Sequence, residues 1–467
     1  MNRYKKLFSD TVILAFGTFG SKLLVFLLMP LYTALLSPAE YGTAELITST
    51  ANLIMPFACM GITTGIFRFA AERGNDQEQV FSSSVALLGG GLGILLLIGL
   101  PLHFFGNFSL NVGLVILYVL FADLQAVCAQ YIRAIDRTRL FAWQGVFNTL
   151  VTILFNLLFL MAFHMGVTGY VLAVIVGNFL TAVLLIFTGR LWRVFRPSKV
   201  KKETMRELFR FSLPMIPTTV CWLITDLSDR YFVTAICGEA VNGIYSAAYK
   251  IPTIVNLVSS IFMQAWQFSA VAQSSDDGEC SRFYSEVFRG FLSLIFIGTA
   301  GLLLLSRFLC RLLLNIDYFD AWQYMPTLLC AAALEAVVSF LATVYLVKKK
   351  SMHSFLTAVA GTGLNILLNA LMIPEMGALG AAIATLIGYG AVYLLRLWDV
   401  PRILPFRLYL PRQLATLLLL LASAAVMTID PPGRLIWCGL LTLAVVALNL
   451  PALLQGLRGL LRQRKRT

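Results

Sequence analysis

Apolar runs of roughly 20 residues recur from one end of the chain to the other, separated by short polar turns. Each is long enough to cross a hydrocarbon core of about 30 Å as a helix. Fourteen spans are predicted, at about 11–36, 43–66, 81–104, 110–131, 141–163, 167–188, 210–236, 243–268, 289–306, 324–347, 354–373, 378–396, 411–429 and 434–454. Nothing between them is large enough to fold as a soluble domain. Composition agrees: of 467 residues 59% are hydrophobic and only 13% charged, against about 25% charged in soluble domains, and the mean hydropathy is +0.82. The pattern predicts an all-α integral membrane protein with about 14 transmembrane helices.

A net charge of +13 raises the question of nucleic acid, but its distribution answers it. All but six of the 36 Lys and Arg fall at the N-terminus, in alternate loops or in the tail. The exceptions are Lys22, Arg230 and Lys250 inside spans and Arg307, Arg311 and Arg434 on the other side. Positive-inside bias then puts both termini in the cytoplasm of a multi-pass protein, with no nucleic-acid partner. The first run follows Arg3, Lys5 and Lys6 and continues to Leu36 without a small-residue cleavage site, so it reads as helix 1. The eight cysteines are scattered without a C-x-x-C or a His-Cys cluster; they read as packing residues, and neither metal nor cofactor is expected.

The outer turns repeat. Met165-Gly166-Val167-Thr168-Gly169 with Ala173 and Gly177 matches Met376-Gly377-Ala378-Leu379-Gly380 with Ala384 and Gly388, both M-G-x-x-G-x-x-x-A-x-x-x-G. Steps of three and four put the small residues on one stripe that lets a neighbouring backbone approach. Helices 1–6 and 7–12 are therefore predicted as two lobes of like topology, over 1–189 and 210–400. The basic stretch 190–209 is the cytoplasmic linker, and 401–467 supplies helices 13 and 14 and a basic tail.

Candidate chemistry concentrates in the pair of helices from Phe211 to Gln267, where Asp226, Asp229, Arg230 and Lys250 are charges that a bilayer disfavours by roughly 2.5–3.5 kcal/mol each. Asp226 and Arg230 are spaced to pair along one helix. The four form either a neutralised lock between helices or the wall of a wet cationic path. Tyr245, Tyr249, Asn256, Gln264 and Gln267 recur through the second helix as a polar sector. In the first lobe stand Lys22 without an acid nearby in its span, Glu45 on helix 2, and Arg68 at its end. Asn148 and Asn156 on helix 5, and Asn365 and Asn369 on helix 11, are either helix-helix glue or glycan contacts. Lys22, Arg230, Lys250 and Arg68 are the candidate anion-binding set, a phosphate or diphosphate being suited to Arg forks and Lys point charges. Glu45, Asp123, Asp226, Asp229 and Glu335 either couple to an ion or stand in ion pairs. Pro214, Pro217 and Pro252 are hinges or static kinks.

Several ordered segments resemble a known family. Phe16-Gly17-Thr18-Phe19-Gly20-Ser21-Lys22, Pro30-Leu31-Tyr32 and Leu36-Ser37-Pro38-Ala39-Glu40-Tyr41-Gly42-Thr43 resemble the first hairpin of the polysaccharide and oligosaccharide-lipid flippases. Phe211-Ser212-Leu213-Pro214, Asp229-Arg230 and Gly243 to Lys250 resemble its seventh and eighth helices, and Asp317 to Ala321 and Gly377 to Ala384 its later outer turns. This family belongs to the multidrug/oligosaccharidyl-lipid/polysaccharide exporter superfamily. The resemblance implies two six-helix lobes around a central cavity, alternating access, and passage of a polyprenyl-diphosphate-linked glycan to the outer leaflet of the bacterial cytoplasmic membrane. Membrane lipids, a glycan polymerase and glycosyltransferases are the partners it implies. Lipid II flippases, expected to carry more arginine in helices 1 and 2, and multidrug antiporters, expected to have a cavity of acids without competing cations, are the alternatives. A membrane glycosyltransferase is disfavoured by the short outer loops and unclustered histidines.

Overall fold

The computed structural model describes residue 26 and residues 28–72, 76–105, 111–213, 216–272, 277–348 and 350–464. Among these the chain is helical and contains no strand. It forms two compact units, residues 1–231 and 232–467.

In the first unit α1 (Met29–Leu35), α2 (Pro38–Ala58) and α3 (Ile62–Ala71) come first. Four long apolar helices follow: α4 (Gln77–Phe105), α5 (Val112–Ala134), α6 (Thr138–Asn156, prolonged by a π-helical turn to Ala162) and α7 (Gly166–Gly189). The basic stretch leads to α8 (Lys202–Ser212) and then to α9 (Ile216–Cys237), within which the unit ends. The motif Ser37-Pro38-Ala39-Glu40 is a capping box: the Ser37 hydroxyl accepts from Glu40 N, the Glu40 carboxylate accepts from Ser37 N, and Pro38 takes the first turn, where no amide donor is needed.

The single span expected at 43–66 is instead two helices. After Pro56 the backbone turns through Met60 (φ 51°) and Gly61 (φ 67°), and α8 packs against α3. A side chain at Gly61 would meet the Ser212 carbonyl at 3.1 Å, so both the left-handed turn and the close approach require glycine. The stretch 190–209 does not hang free. Lys199 Nζ pairs with Asp76 at 2.7 Å and Glu78 at 2.8 Å, and Ser82 Oγ accepts from Arg196 N at 2.9 Å, which fastens it to the start of α4.

The second unit holds α10 (Glu239–Ala248), α11 (Thr253–Ala272) and α12 (Asp277–Leu313), then a 3-10 helix (Ile316–Gln323). The long apolar helices α13 (Met325–Val347), α14 (Ser351–Met376), α15 (Ala378–Ile403), α16 (Leu410–Ile429) and α17 (Arg434–Arg464) complete it. The expected span 243–268 is also broken, by a turn over Tyr249–Pro252, because Pro252 cannot donate to the helix ladder. Among the described residues ten helices are long and apolar enough to cross a membrane, and they fall on expected spans 3–6 and 9–14. Span 1 lies mostly outside the described residues; spans 2, 7 and 8 are the broken or charge-bearing helices. The axis of the second unit is α13, buried along most of its length. Phe340 stacks with Trp266 at 5.1 Å and Phe291 at 5.3 Å, and Thr343 accepts from Trp266 Nε1 at 3.1 Å.

The repeated motif packs alike in both units. A Cβ on Gly177 of α7 would stand 2.3 Å from Thr152 Oγ1 of α6 and 3.2 Å from Asn148 Oδ1; one on Gly388 of α15 would stand 3.2 Å from Asn365 Cβ of α14. Each stripe lets an asparagine-bearing helix lie against its neighbour.

Candidate functional site

In the first unit the organising group is Glu45. It lies on α2 four residues after Tyr41 and four before Ser49, so the three form one stripe of the helix. Its carboxylate accepts from Tyr41 Oη at 2.9 Å and Tyr170 Oη at 3.2 Å, and pairs with Arg230 Nη1 of α9 at 2.8 Å. The same guanidinium donates to Ser49 Oγ and, at 3.3 Å, to the Glu45 carbonyl. Tyr32 stands edge-on to Tyr170 at 4.9 Å and accepts from Asn156 Nδ2 at 3.2 Å. The Arg230 and Glu45 side chains are only 13% and 6% exposed. A pair this deep would be a net cost without the extra hydrogen bonds, which the tyrosines and Ser49 provide.

This corrects the expected pairing along α9. Among the described residues Arg230 makes no ion pair with Asp226, which is exposed; it reaches across to α2, where the tyrosine-lined carboxylate is better anchored. Asp229, one residue away, is fully buried. Asp123 on α5 is 1% exposed, and the polar group beside its buried carboxylate is the Cys59 thiol. Arg68, by contrast, is exposed at the end of α3 with its guanidinium 4.4 Å above the Phe211 ring. Lys22 lies outside the described residues.

In the second unit Asn256 of α11 donates to Glu335 of α13 at 2.8 Å. Tyr245 is not on an open path: it is fully buried, 5.3 Å from Tyr249 and 5.9 Å from Tyr324. Lys250 is half-buried in the turn ahead of α11, beside Pro252. Pro217 occupies the second position of α9, where it opens the helix rather than bending it. Pro214 and the side chains of Gln264 and Gln267 lie outside the described residues. Asn148 and Asn365 bridge helices: Asn148 donates to Asn178 at 2.9 Å and Asn365 to Thr385 at 3.3 Å. Asn369 donates to Asn365 at 3.3 Å within α14, and Asn156, Asn365 and Asn369 are fully buried.

Sequence reasoning gave no role to Tyr32, Tyr41, Ser49 or Tyr170, although Tyr32 and Tyr41 stand in the segments of family resemblance. The four-residue repeat Tyr41, Glu45, Ser49 was a readable signal for part of this cluster; Tyr32 and Tyr170 arrive only through folding. Also missed was Arg396 of α15. It is 1% exposed and bonds Thr357 Oγ1 at 3.1 Å and the Val338 carbonyl at 2.7 Å. Close by, Asp399 accepts from Tyr345 Oη at 2.8 Å and meets His353 Nδ1 at 2.9 Å.

Known structures share this architecture. A lipid II flippase, MurJ, in an inward closed conformation superposes with a TM-score of 0.71 at 16% identity, over 96% of this chain and 100% of that one. An outward-facing multidrug resistance MATE transporter of the MOP superfamily gives 0.62 at 16% identity, over 84% and 95%. A MOP-superfamily transporter from Pyrococcus furiosus whose binding pocket is of reversed polarity gives 0.60 at 15%, again over 84% and 95%. No curated protein matches the sequence. At these identities the likeness shows the fold, that of a multi-pass helical transporter. The family model for polysaccharide biosynthesis proteins matches residues 7–267, which takes in α2, α9 and the Glu45–Arg230 pair, and the chain belongs to that family.

Proposed function

We propose that this transporter moves a polyprenyl-diphosphate-linked oligosaccharide from the cytoplasmic to the outer leaflet of a bacterial cytoplasmic membrane by alternating access, with both termini cytoplasmic and two lobes of like topology. The observation that carries the reading is Arg230, a buried guanidinium in a chain of the polysaccharide biosynthesis family. With one nitrogen on Glu45 and Ser49, its fork keeps further donors for a phosphate oxygen. Lys250, and Lys22 by the resemblance, are the other cations assigned to the diphosphate. Membrane lipids and the enzymes that build and polymerise the glycan are its working partners. The alternate role of the acids is ion coupling, for which Asp123 is best placed.

The test is export of the lipid-linked glycan in cells that depend on this protein. Arg230→Ala or Lys250→Ala is expected to lose export at normal protein levels. Because Arg230→Ala also leaves Glu45 buried and unpaired, the double variant Glu45→Gln/Arg230→Gln, which removes both members of the pair together, is run beside it. Full export in all three would remove the assigned roles.

A second reading is favoured by one observation, the match to the lipid II flippase over nearly the whole chain. Complementation of a lipid II flippase deletion, with no effect on other envelope glycans, would move the substrate to lipid II. Drug efflux without a glycan phenotype would instead favour an antiporter.

A further inference from the structure

Three arginines break the charge asymmetry of the chain, Arg307, Arg311 and Arg434, and the fold brings them together. Arg307 and Arg311 lie near the end of α12 and Arg434 opens α17. In the antiparallel hairpins of the second unit both positions lie at the end opposite Lys348, Lys350 and Arg407. Asp430, in a left-handed turn after α16 (φ 58°), is shared: one oxygen takes Arg307 Nη1 at 2.8 Å and the other pairs with Arg434. Arg307 and Arg311 are both near enough to Arg434 to repel it. Arg307 is braced 4.2 Å above Trp322, and Arg311 stands 5.3 Å from the Phe319 ring.

One carboxylate does not match three guanidiniums. Arg311 makes no ion pair among the described residues and is exposed, and the buried Nε of both Arg307 and Arg434 has no acceptor. Asp317 and Asp320, exposed on the 3-10 helix, pair with none of the three among the described residues. Positive-inside pressure would remove such a cluster from this side unless it had a use. Planar forks fixed by an aromatic face and a shared carboxylate are suited to bidentate recognition of a tetrahedral oxyanion. Arginine at the level of the headgroups would meet that group on a lipid.

We infer that Arg307, Arg311 and Arg434 form a phosphate-binding site at this end of the second unit, distinct from the Glu45–Arg230 centre. Its ligand is a phosphate group with no cation of its own to balance it, carried by an outer-leaflet lipid or free in solution. The site stands whether or not Arg230 serves transport.

The experiment uses the purified full chain in neutral detergent and native mass spectrometry, with dilauroyl phosphatidic acid, dilauroyl phosphatidylcholine and inorganic pyrophosphate as probes. Arg311→Ala removes an exposed, unpaired side chain, Arg311→Lys keeps the charge without the fork, and Arg407→Gln is the control for basic residues at the opposite end. Phosphatidic acid is expected to bind the parent and Arg407→Gln alike, and about tenfold more weakly to Arg311→Ala. Arg311→Lys should fall between, and phosphatidylcholine should show no dependence on Arg311. Pyrophosphate binding that weakens in parallel identifies phosphate itself as sufficient, whereas response to the lipid alone identifies a membrane-borne ligand. If neither probe distinguishes Arg311→Ala from the parent, or Arg407→Gln weakens binding as much, the site does not exist.

Discussion

At the scale of residues, the fate of Arg230 is decided by Glu45. A buried ion pair is held in place because Tyr41, Tyr170 and Ser49 engage the remaining lone pairs and donors. Removing one partner leaves an uncompensated charge, which costs about 3–5 kcal/mol, while removing both costs much less. Thermal melting in detergent should therefore show Glu45→Gln and Arg230→Gln each destabilising, and the double variant recovering more than half of the summed loss. Additive losses would mean that the two side chains do not interact. That Arg230 mattered was legible in the sequence, since an arginine in an apolar span is conspicuous. Its partner was not. Asp226 at i−4 was the local candidate, but the i,i+4 rule describes an isolated helix surface, and here a tyrosine-lined carboxylate on another helix outcompetes it.

At the scale of elements, small-residue stripes and one clamp are testable. A Cβ on Gly380 would come within 2.6 Å of the Met372 carbonyl, whereas one on Gly363 meets nothing within 4 Å. Gly380→Ala is expected to lower stability by about 1–3 kcal/mol and Gly363→Ala to leave it level or raise it by roughly 0.5–1 kcal/mol; melting midpoints moving in the same direction would contradict this. The clamp on residues 190–209 depends on pH. Lys199 holds the Asp76 carboxyl below its ordinary value of 3.8, so the pair adds stability above 3.8 and loses it as pH falls through the lower folded value. Asp76 in turn raises the Lys199 ammonium above 10.5, so that contribution is present below 10.5 and lost at higher pH. The melting difference between the parent and Asp76→Asn should hold at neutral pH and vanish in strong acid. Both the stripe and the basic run were visible as patterns. Their partners, α6, α14 and the start of α4, were supplied by folding, as were the breaks at Met60–Gly61 and Tyr249–Pro252.

At the scale of the molecule, the proposed coupling to an ion is assigned to Asp123, a carboxylate buried against the Cys59 thiol. In proteoliposomes carrying the lipid-linked glycan, Asp123→Asn is expected to keep substrate binding but lose any acceleration by an imposed pH or sodium gradient. An unchanged gradient response would assign coupling elsewhere. Sequence by itself determined the class of this protein. Bilayer thickness fixes the length of a span and the cost of exposed backbone leaves helices as the solution, so composition and periodicity alone dictate a polytopic helical protein. What only the tertiary structure decided is which charges meet. Glu45 with Arg230, Lys199 with Asp76, and Arg307 with Asp430 lie 185, 123 and 123 residues apart. Pairing over such separations follows from helix packing, a property of surfaces brought together and not of any local stretch of chain.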